Sequence, residues 1–344
     1  MNSKRTILTG LLILAVLSAT VILTCKNDPS SDQPETPVVE KPAVKVPAFN
    51  RDSAFAYVQK QVDFGPRVLG SEGHENCKNW FVEKMTSYGL EVTEQNFEAE
   101  VYTGEKFPAT NVIAKYKPDN PNRIILAAHW DTRHIADSDL STFDQEEPIL
   151  GADDGGSGIG VLIEVARQLS LNGPELGIDF VFFDAEDYGD STEPEPDPAD
   201  KVAVEKRQNS WAIGAQYYAK NLSGHRPKYG ILLDMVGASG ATFHKEDVSM
   251  YYAPGLTNGL WSTARKMGYG AYFINKQEGL AWDDHYFINT IANIPMVDII
   301  NMKGQKFGDH WHTHNDNMDI IDRNVLRAVG QVILAVVYRD ELSN

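Results

Sequence analysis

Histidine, aspartate and glutamate side chains recur at positions in this 344-residue sequence where they could share one metal ion. They follow three short apolar segments directly, and they also occupy three loops that contain glycine or tryptophan. The segments concerned are His129–Asp131, Gly151–Gly158, Asp184–Asp187, Asp234, Trp282–His285 and Trp311–Asp316. Zinc accepts imidazole and carboxylate ligands, and a catalytic zinc keeps one position open beside three protein ligands. Helix capping or solvation would explain any one of these groups, whereas the whole set is typical of a metal-dependent active site.

The segment Gly151–Gly158 places the carboxylate pair Asp153-Asp154 in a glycine-rich turn. Glycines permit backbone angles that other residues avoid. Val161, Val165 and other apolar residues follow at helical spacing, and Ser157 is predicted to be the N-cap of that helix. The aspartates would therefore lie just before a helix. The alternative is an acidic turn without a ligand, stabilised by the helix dipole.

The spacing of the other candidate residues suggests which of them could bind metal, orient a ligand or act as a base. His129 and Asp131 are two residues apart and share one face of an extended strand, so one can bind metal or substrate while the other orients it. Glu186 and Asp187 are adjacent and point in different directions, so one can bind metal while the other acts as a general base. His312, in a polar loop, is the candidate for the last ligand.

The apolar segments around these residues predict an α/β fold. Segments 124–128, 178–183 and 229–233 are apolar apart from Asp179, as in strands covered on both faces, and helical patterns separate them. We expect one domain with a central, mixed, largely parallel sheet whose strands carry the site at their carboxyl ends. Further elements are helices over 52–61 and 75–88, sheet-edge strands over 90–102 and 110–116, a strand over 295–300 and a C-terminal amphipathic helix. The acidic segments 134–150 and 188–209 are predicted to be surface loops near the site.

Composition restricts the partners and the bonds that hold the fold together. The chain is 42% hydrophobic with a net charge of -17, which argues against nucleic acid or an anionic membrane surface as the main partner. Its two cysteines, Cys25 and Cys77, belong to no C-x-x-C pair and imply no disulfide framework. Cys77 is predicted to be a buried thiol.

The N-terminal segment predicts export. Lys4 and Arg5 precede an apolar run over 7–23, near the lower limit of about 17–25 residues for a membrane span. Residues 22–25 resemble a bacterial lipoprotein cleavage box. We expect a periplasmic or cell-envelope protein, with 1–25 as signal peptide or anchor and a tether through a lipid on Cys25 or through the apolar run. Residues 26–47 are predicted to be a disordered tether and 48–344 a zinc-dependent catalytic domain.

From about Phe55 to Leu334 the sequence resembles the zinc aminopeptidase superfamily and, within it, the type II glutaminyl cyclases of the bacterial branch. The superfamily pattern Gly-Ala-x-Asp-x-x-Ser-Gly is met by Gly151–Gly158. The resemblance implies one zinc ion held by Asp154, Asp187 and His312, with Glu186 as the catalytic base. The Asp-Met-Val-Gly segment of the family corresponds to Asp234.

Two features distinguish cyclases from peptidases of this superfamily. Cyclases carry Asp-Asp-His where peptidases carry Ser-Asp-His, and a tryptophan before the last zinc ligand; Asp283 and Trp311 meet both conditions. The chain departs from the animal cyclases in three places. Asp187 replaces a glutamate, Asp298 replaces a histidine, and the segment 188–192 lacks a tryptophan.

The resemblance implies conversion of the N-terminal glutamine of peptides and proteins to pyroglutamate, with release of ammonia. Zinc would polarise the γ-amide carbonyl while Glu186 takes a proton from the α-amine and returns it to the leaving ammonia. Asp234 and Asp283 would position the amine and share protons, and Trp311 would wall the pocket. We expect a monomer.

Two other functions stay open at this point. A secreted zinc aminopeptidase would use Glu186 to activate a metal-bound water, and His129 and Asp234 could complete a second zinc site for it. A catalytically inactive member of the superfamily could serve as a surface binding protein.

Overall fold

A computed structural model describes residues 44–138, 140–340 and 342. The chain from Val44 onward forms a compact unit by itself. The predictions for residues 1–25, and for the tether up to residue 43, lie outside the described residues. No helix in the described part combines the length and apolar character that a membrane crossing requires.

The described elements alternate between helices and strands. The helices are α1 (Arg51–Val62), α2 (Glu72–Ser87), α3 (Gly156–Asn172), α4 (Lys201–Gln208), α5 (Ile213–Lys220), α6 (Asp247–Tyr252), α7 (Pro254–Lys266), α8 (Asp284–Phe287) and α9 (Arg323–Arg339). The strands are β1 (Glu91–Glu100), β2 (Lys106–Tyr116), β3 (Arg123–His129), β4 (Gly177–Phe183), β5 (Gly230–Asp234), β6 (Phe243–Lys245), β7 (Phe273–Gln277), β8 (Met296–Ile300), β9 (Met302–Lys303) and β10 (Lys306–Phe307). A π-helical turn spans Ile288–Ala292 and a 3₁₀ turn spans Met318–Ile320.

The predicted mixed sheet is confirmed. Six strands lie in the order β1-β2-β4-β3-β5-β8. The pairs at the β1 edge are antiparallel, whereas β4, β3, β5 and β8 run parallel to one another. Because parallel strands end at the same edge, the register brings the carboxyl ends of β3, β4 and β5 together. His129, Asp184 and Asp234 therefore lie at one edge of the sheet.

The central strands are mostly apolar because each face of the sheet is covered by helices. On β3, Ile124 and Leu126 pack into a large cluster that includes residues of α1, α3 and α9. The alternate residues Ile125 and Ala127 pack into a second cluster that includes residues of α5 and α8. Side chains on a strand alternate between faces, so a strand covered on both sides is apolar at most positions. The buried polar pair Arg123 and Asp179 is satisfied by an ion pair of 2.6 Å.

Two local predictions were wrong. Gly155, with φ of +79°, is the N-cap of α3 and makes no side-chain cap. Ser157 lies inside the first turn, where its hydroxyl donates to the Asp153 carbonyl at 2.6 Å and accepts from the Val236 N–H at 2.8 Å. The segment 188–209, predicted to be a loop, contains α4, which begins because the Asp200 side chain accepts the Ala203 N–H at 3.1 Å. The segment 134–150 is irregular, as predicted.

Gly158 tests how closely α3 lies against the sheet. A Cβ at this position would overlap the Leu233 carbonyl oxygen and lie 2.8 Å from the Ala128 Cβ. Gly158→Ala should therefore lower the free energy of unfolding by about 1–3 kcal/mol through overpacking, measured by urea denaturation.

Gly255 in α7 is the matched control, since a Cβ there meets nothing within 4 Å. Gly255→Ala should be neutral or stabilise by up to about 1 kcal/mol, because alanine favours helix. If both alanine variants unfold at the same urea concentration as the unaltered protein, α3 does not pack as closely as the structure has it.

Candidate active site

All seven residues predicted to form the site line one cavity of about 560 Å³ at the carboxyl edge of the sheet. They are Asp154, Glu186, Asp187, Asp234, Asp283, Trp311 and His312. The five carboxylates and the imidazole are buried. These residues come from five separate segments of the chain, so only the fold brings them together.

Asp131 positions the acidic pair that follows β4. Its two carboxylate oxygens accept the N–H groups of Glu186 and Asp187, each at 3.0 Å. Ala185, immediately before the pair, has a left-handed φ of +55°. The sequence left open whether His129 or Asp131 orients the other. Asp131 Oδ1 lies 3.6 Å from Nδ1 of the His129 ring. Its hydrogen bonds are made to the neighbouring loop instead, and these direct Asp187 toward His312.

Asp153 and Asp154 have different roles, and Asp316 holds both. The Asp316 carboxylate accepts the N–H of Asp153 at 2.7 Å and that of Asp154 at 3.0 Å. Asp153 turns away from the cavity and accepts the N–H groups of Gly237 and Ala238 at 2.6 and 3.0 Å. Asp154 is left facing the cavity, which agrees with its choice over Asp153 from the sequence.

Asp154, Asp187 and His312 form a group that fits a metal ion. Their candidate ligand atoms lie within 4.8 Å of one another. The Nε2 atom of His312 is 3.1 Å from Asp187 Oδ1 and 3.8 Å from Asp154 Oδ2. Both oxygens of Asp187 are buried without a hydrogen-bond donor. Buried carboxylates without donors are costly unless a cation compensates them, and two carboxylates with one imidazole are ligands that zinc accepts.

His312 is oriented by a residue that the sequence analysis missed. Its Nδ1 atom lies 2.9 Å from Asp137 Oδ1, which leaves Nε2 directed at Asp187. Arg133 donates to the two Asp137 oxygens at 3.2 and 2.6 Å. Asp137 lies in the irregular segment 134–150, where no pattern in the sequence distinguishes one acid from the others. Such partners fix the tautomer and the direction of a ligating histidine.

His129 lies between two carboxylates of the cavity. Its Nε2 atom is 3.0 Å from Asp154 Oδ1 and 3.2 Å from Asp234 Oδ1. Burial alone would lower the pKa of His129, but the contacts with Asp131, Asp154 and Asp234 outweigh it and raise the pKa well above its usual value. A protonated imidazole can therefore join Asp154 to Asp234. His129, Asp154 and Asp234 also have the spacing of a second metal site.

Glu186 faces a group of acids across the cavity. Burial is the largest influence on its pKa; His129 opposes that influence, and Asp187, Asp283 and Asp284 reinforce it. The net effect raises the pKa of Glu186 well above the usual carboxyl range. Burial and neighbouring carboxylates also raise the pKa of Asp234 well above that range, against the contact with His129. The site can thus store a proton on its carboxylates.

Asp283 serves both the fold and the cavity. It is the N-cap of α8, where its side chain accepts the Asp284 N–H, and its second oxygen is buried without a donor. Behind it, Asp298 and His285 complete a buried group whose candidate ligand atoms lie within 4.8 Å. Asp283 therefore caps a helix, as an ordinary loop acid would, and also lines the cavity.

Aromatic rings line the cavity around the imidazole of His312. The centroid of the Trp311 ring lies 3.7 Å from that of the imidazole, and the two rings are nearly parallel. Trp211 follows the segment 188–209 directly. The centroid of its ring lies 6.2 Å from that of the same imidazole, and the two rings are also nearly parallel. The segment 188–192 lacks a tryptophan, but Trp211, later in the chain, lines the cavity. No pattern in the sequence pointed to it.

Comparison with known proteins identifies relatives of both kinds expected from the sequence. The family model described as Peptidase family M28 matches residues 111–337. A solved glutaminyl cyclase from Bacteroides thetaiotaomicron is 44% identical, with 86% of this chain and 99% of that chain covered and a TM-score of 0.81. A solved Zn-dependent exopeptidase from Parabacteroides distasonis is 43% identical with the same coverage and a TM-score of 0.80. A Drosophila melanogaster glutaminyl-peptide cyclotransferase is 22% identical over 75% of this chain and 72% of its own length.

The contact between Asp137 and His312 can be tested by metal affinity. Asp137→Asn keeps the shape of the side chain but removes the charge that favours the correct tautomer. Loss of such a partner typically weakens metal binding about 10- to 100-fold, which competition with a chelator would measure. Asp144→Asn is the control, because Asp144 is an exposed acid of the same segment. Equal zinc affinity in both variants would contradict this role for Asp137.

Proposed function

The chain belongs to peptidase family M28, and we propose that it acts as a zinc-dependent glutaminyl-peptide cyclotransferase. It converts the N-terminal glutamine of peptides and proteins to pyroglutamate and releases ammonia. Its similarity to a solved bacterial glutaminyl cyclase over almost all of that chain supports this function. The observation that carries the proposal is the place of Asp283, whose carboxylate lines the same cavity as Glu186 and Asp234.

The reaction is an intramolecular aminolysis. The α-amine nitrogen attacks the γ-amide carbon, and the new C–N bond closes a five-membered ring. Glu186 accepts the proton that the amine loses, and its raised pKa suits it to that task. The bond to the amide nitrogen then breaks, and Glu186 returns the proton so that ammonia leaves. No water is consumed, so a buried cavity favours the reaction.

Asp234 and Asp283 are proposed to bind the substrate ammonium group. Both are buried acids on the cavity wall, and acids this close titrate as a coupled group. They can accept hydrogen bonds from the amine and hold a proton between them while Glu186 exchanges its own. Trp311 is proposed to limit the pocket beside the reacting amide and to exclude water from it.

Zinc is proposed to bind Asp154, Asp187 and His312 as a single ion. When bound there, it would act as a Lewis acid toward the γ-amide carbonyl. The unpaired oxygens of Asp187 and the direction of His312 support this ligand set. His129, held between Asp154 and Asp234, would occupy the place of a second metal as an imidazolium.

A zinc aminopeptidase is the second candidate function. The spacing of His129, Asp154 and Asp234 also suits a second metal, and an exopeptidase is among the similar structures. The deciding experiment offers the purified protein an N-terminal glutaminyl peptide and an aminoacyl arylamide, and counts zinc by elemental analysis. Ammonia release with one zinc per chain is expected. Arylamine release with two tightly bound zinc ions would favour the peptidase, and turnover of neither substrate would favour an inactive binding protein.

We also propose that the protein acts outside the cytoplasm, tethered through a lipid on Cys25 or through the apolar segment 7–23. The support is the sequence of residues 1–25 alone. Radiolabelled lipid incorporation that is lost in Cys25→Ala would identify the lipid, and recovery of the protein in the cytosolic fraction would refute both tethers.

Glu186→Gln tests the proton-transfer step. Glutamine keeps the shape of the side chain but cannot accept the amine proton. We expect turnover to fall by about 10²–10⁴-fold, the usual contribution of a general base, while zinc content stays unchanged. Turnover and zinc content are measured on the same preparation. A variant with full zinc that keeps more than about a tenth of the activity would show that another group is the base.

Asp283→Asn separates catalysis from helix capping. Asparagine caps helices about as well as aspartate, so the melting temperature should change little. Loss of the carboxylate should reduce glutamine cyclisation severely. Asp322→Asn is the control, since Asp322 is the N-cap of α9 and is not among the residues that line the cavity. An Asp283→Asn variant that melts early and cyclises normally would refute the catalytic role.

A further inference from the structure

The inserted segment 188–209 forms one wall of the cavity, although no residue of this wall takes part in the proposed chemistry. Helix α4 presents Lys201, Val204, Arg207 and Gln208 to the cavity at a spacing of three to four residues, which is one helical face. Pro196 and Pro198 extend the same wall. This face carries no buried residue, so it lies at the outer part of the cavity rather than in the core.

Charge differs between the inner and outer parts of this cavity. Most of the charged inner residues are carboxylates, whereas the outer wall carries the two cations of α4, Lys201 and Arg207, and one acid, Glu195. Arg207 is already engaged, because it donates to the Thr192 carbonyl at 2.7 Å and lies 3.9 Å from Glu195. Lys201 is exposed, and its ammonium group makes no hydrogen bond or ion pair among the described residues. An exposed cation without a partner among the described residues thus lies at the cavity wall.

The direction of the substrate chain follows from the site. The N-terminal glutamine must reach Glu186 and the proposed zinc ligands at the inner end, so the residues after it leave the cavity along its outer wall. A chain with a net charge of -17 repels acidic peptides overall. Lys201 offsets that repulsion locally, where the residues after glutamine pass α4.

We propose that Lys201 selects peptides with an aspartate or glutamate in one of the two positions that follow the N-terminal glutamine. This inference rests on the proposed cyclase function and adds a substrate class to it. Lysine suits the task because its long stem lets one ammonium group meet an acid at either position. The half-exposed Trp282 and Leu280 line the same cavity and supply apolar contact for the stem of the substrate side chain.

The experiment compares kcat/KM for the peptide pairs Gln-Glu-Phe-Ala and Gln-Gln-Phe-Ala, and Gln-Ala-Glu-Phe and Gln-Ala-Gln-Phe. Glutamate and glutamine have nearly the same size, so each ratio reports charge alone. We expect a preference of about two- to fivefold for glutamate in at least one pair, the range for an exposed ion pair. Added salt should reduce that preference. Lys201→Glu should reverse it.

Lys206→Glu is the matched control, because Lys206 lies on the same helix but not among the cavity-lining residues. This variant changes the net charge equally and should keep the preference of the unaltered protein. A ratio near one in the unaltered protein, or equal ratios in the Lys201 and Lys206 variants, would overturn the role of Lys201 while cyclisation of the neutral peptides upholds the enzyme function. Failure to cyclise any of the four peptides would refute the function and the inference together.

Discussion

The active site depends on holding several carboxylates within a few ångströms of one another although their negative charges repel. Backbone N–H groups meet part of this requirement. Asp131, Asp153 and Asp316 each accept two of them, from loops at other strand ends. Hydrogen bonds of this kind stabilise an ionised carboxylate and tie each loop to the next. The strand ends are thereby joined into one rigid wall before any ligand binds.

The same contacts divide the acids into two kinds. Asp131, Asp153 and Asp316 are satisfied by backbone donors and hold the loops. Asp187, Asp283 and Asp298 instead keep buried oxygens without donors. A buried oxygen of this kind must bind a cation or carry a proton, since either removes the cost of burying a bare charge. Two of these acids, Asp187 and Asp283, are ones to which we assign roles at the site.

Two buried histidines complete this arrangement, each beside a different oxygen of Asp154. His129 lies between Asp154 and Asp234, and His312 lies beside Asp187 with its outer nitrogen held by Asp137. Peptidases and cyclases of the family can share such a scaffold because function lies in a few side chains placed on it. Here the carboxylate of Asp283 and the residues of α4 both line the cavity.

The sequence by itself determined the α/β architecture and pointed to seven of the residues that line the cavity. Short apolar runs that alternate with helical patterns are typical of parallel strands covered on both faces, and titratable residues directly after such strands meet at one sheet edge. Tertiary structure alone decided what no local pattern encodes. Ser157 bonds to the loop after β5 instead of capping α3, Asp137 reaches His312 across 175 positions, and Trp211 returns to the cavity from the end of the insertion. These contacts join segments far apart in the chain, and their partners are set by packing in space rather than by spacing in sequence.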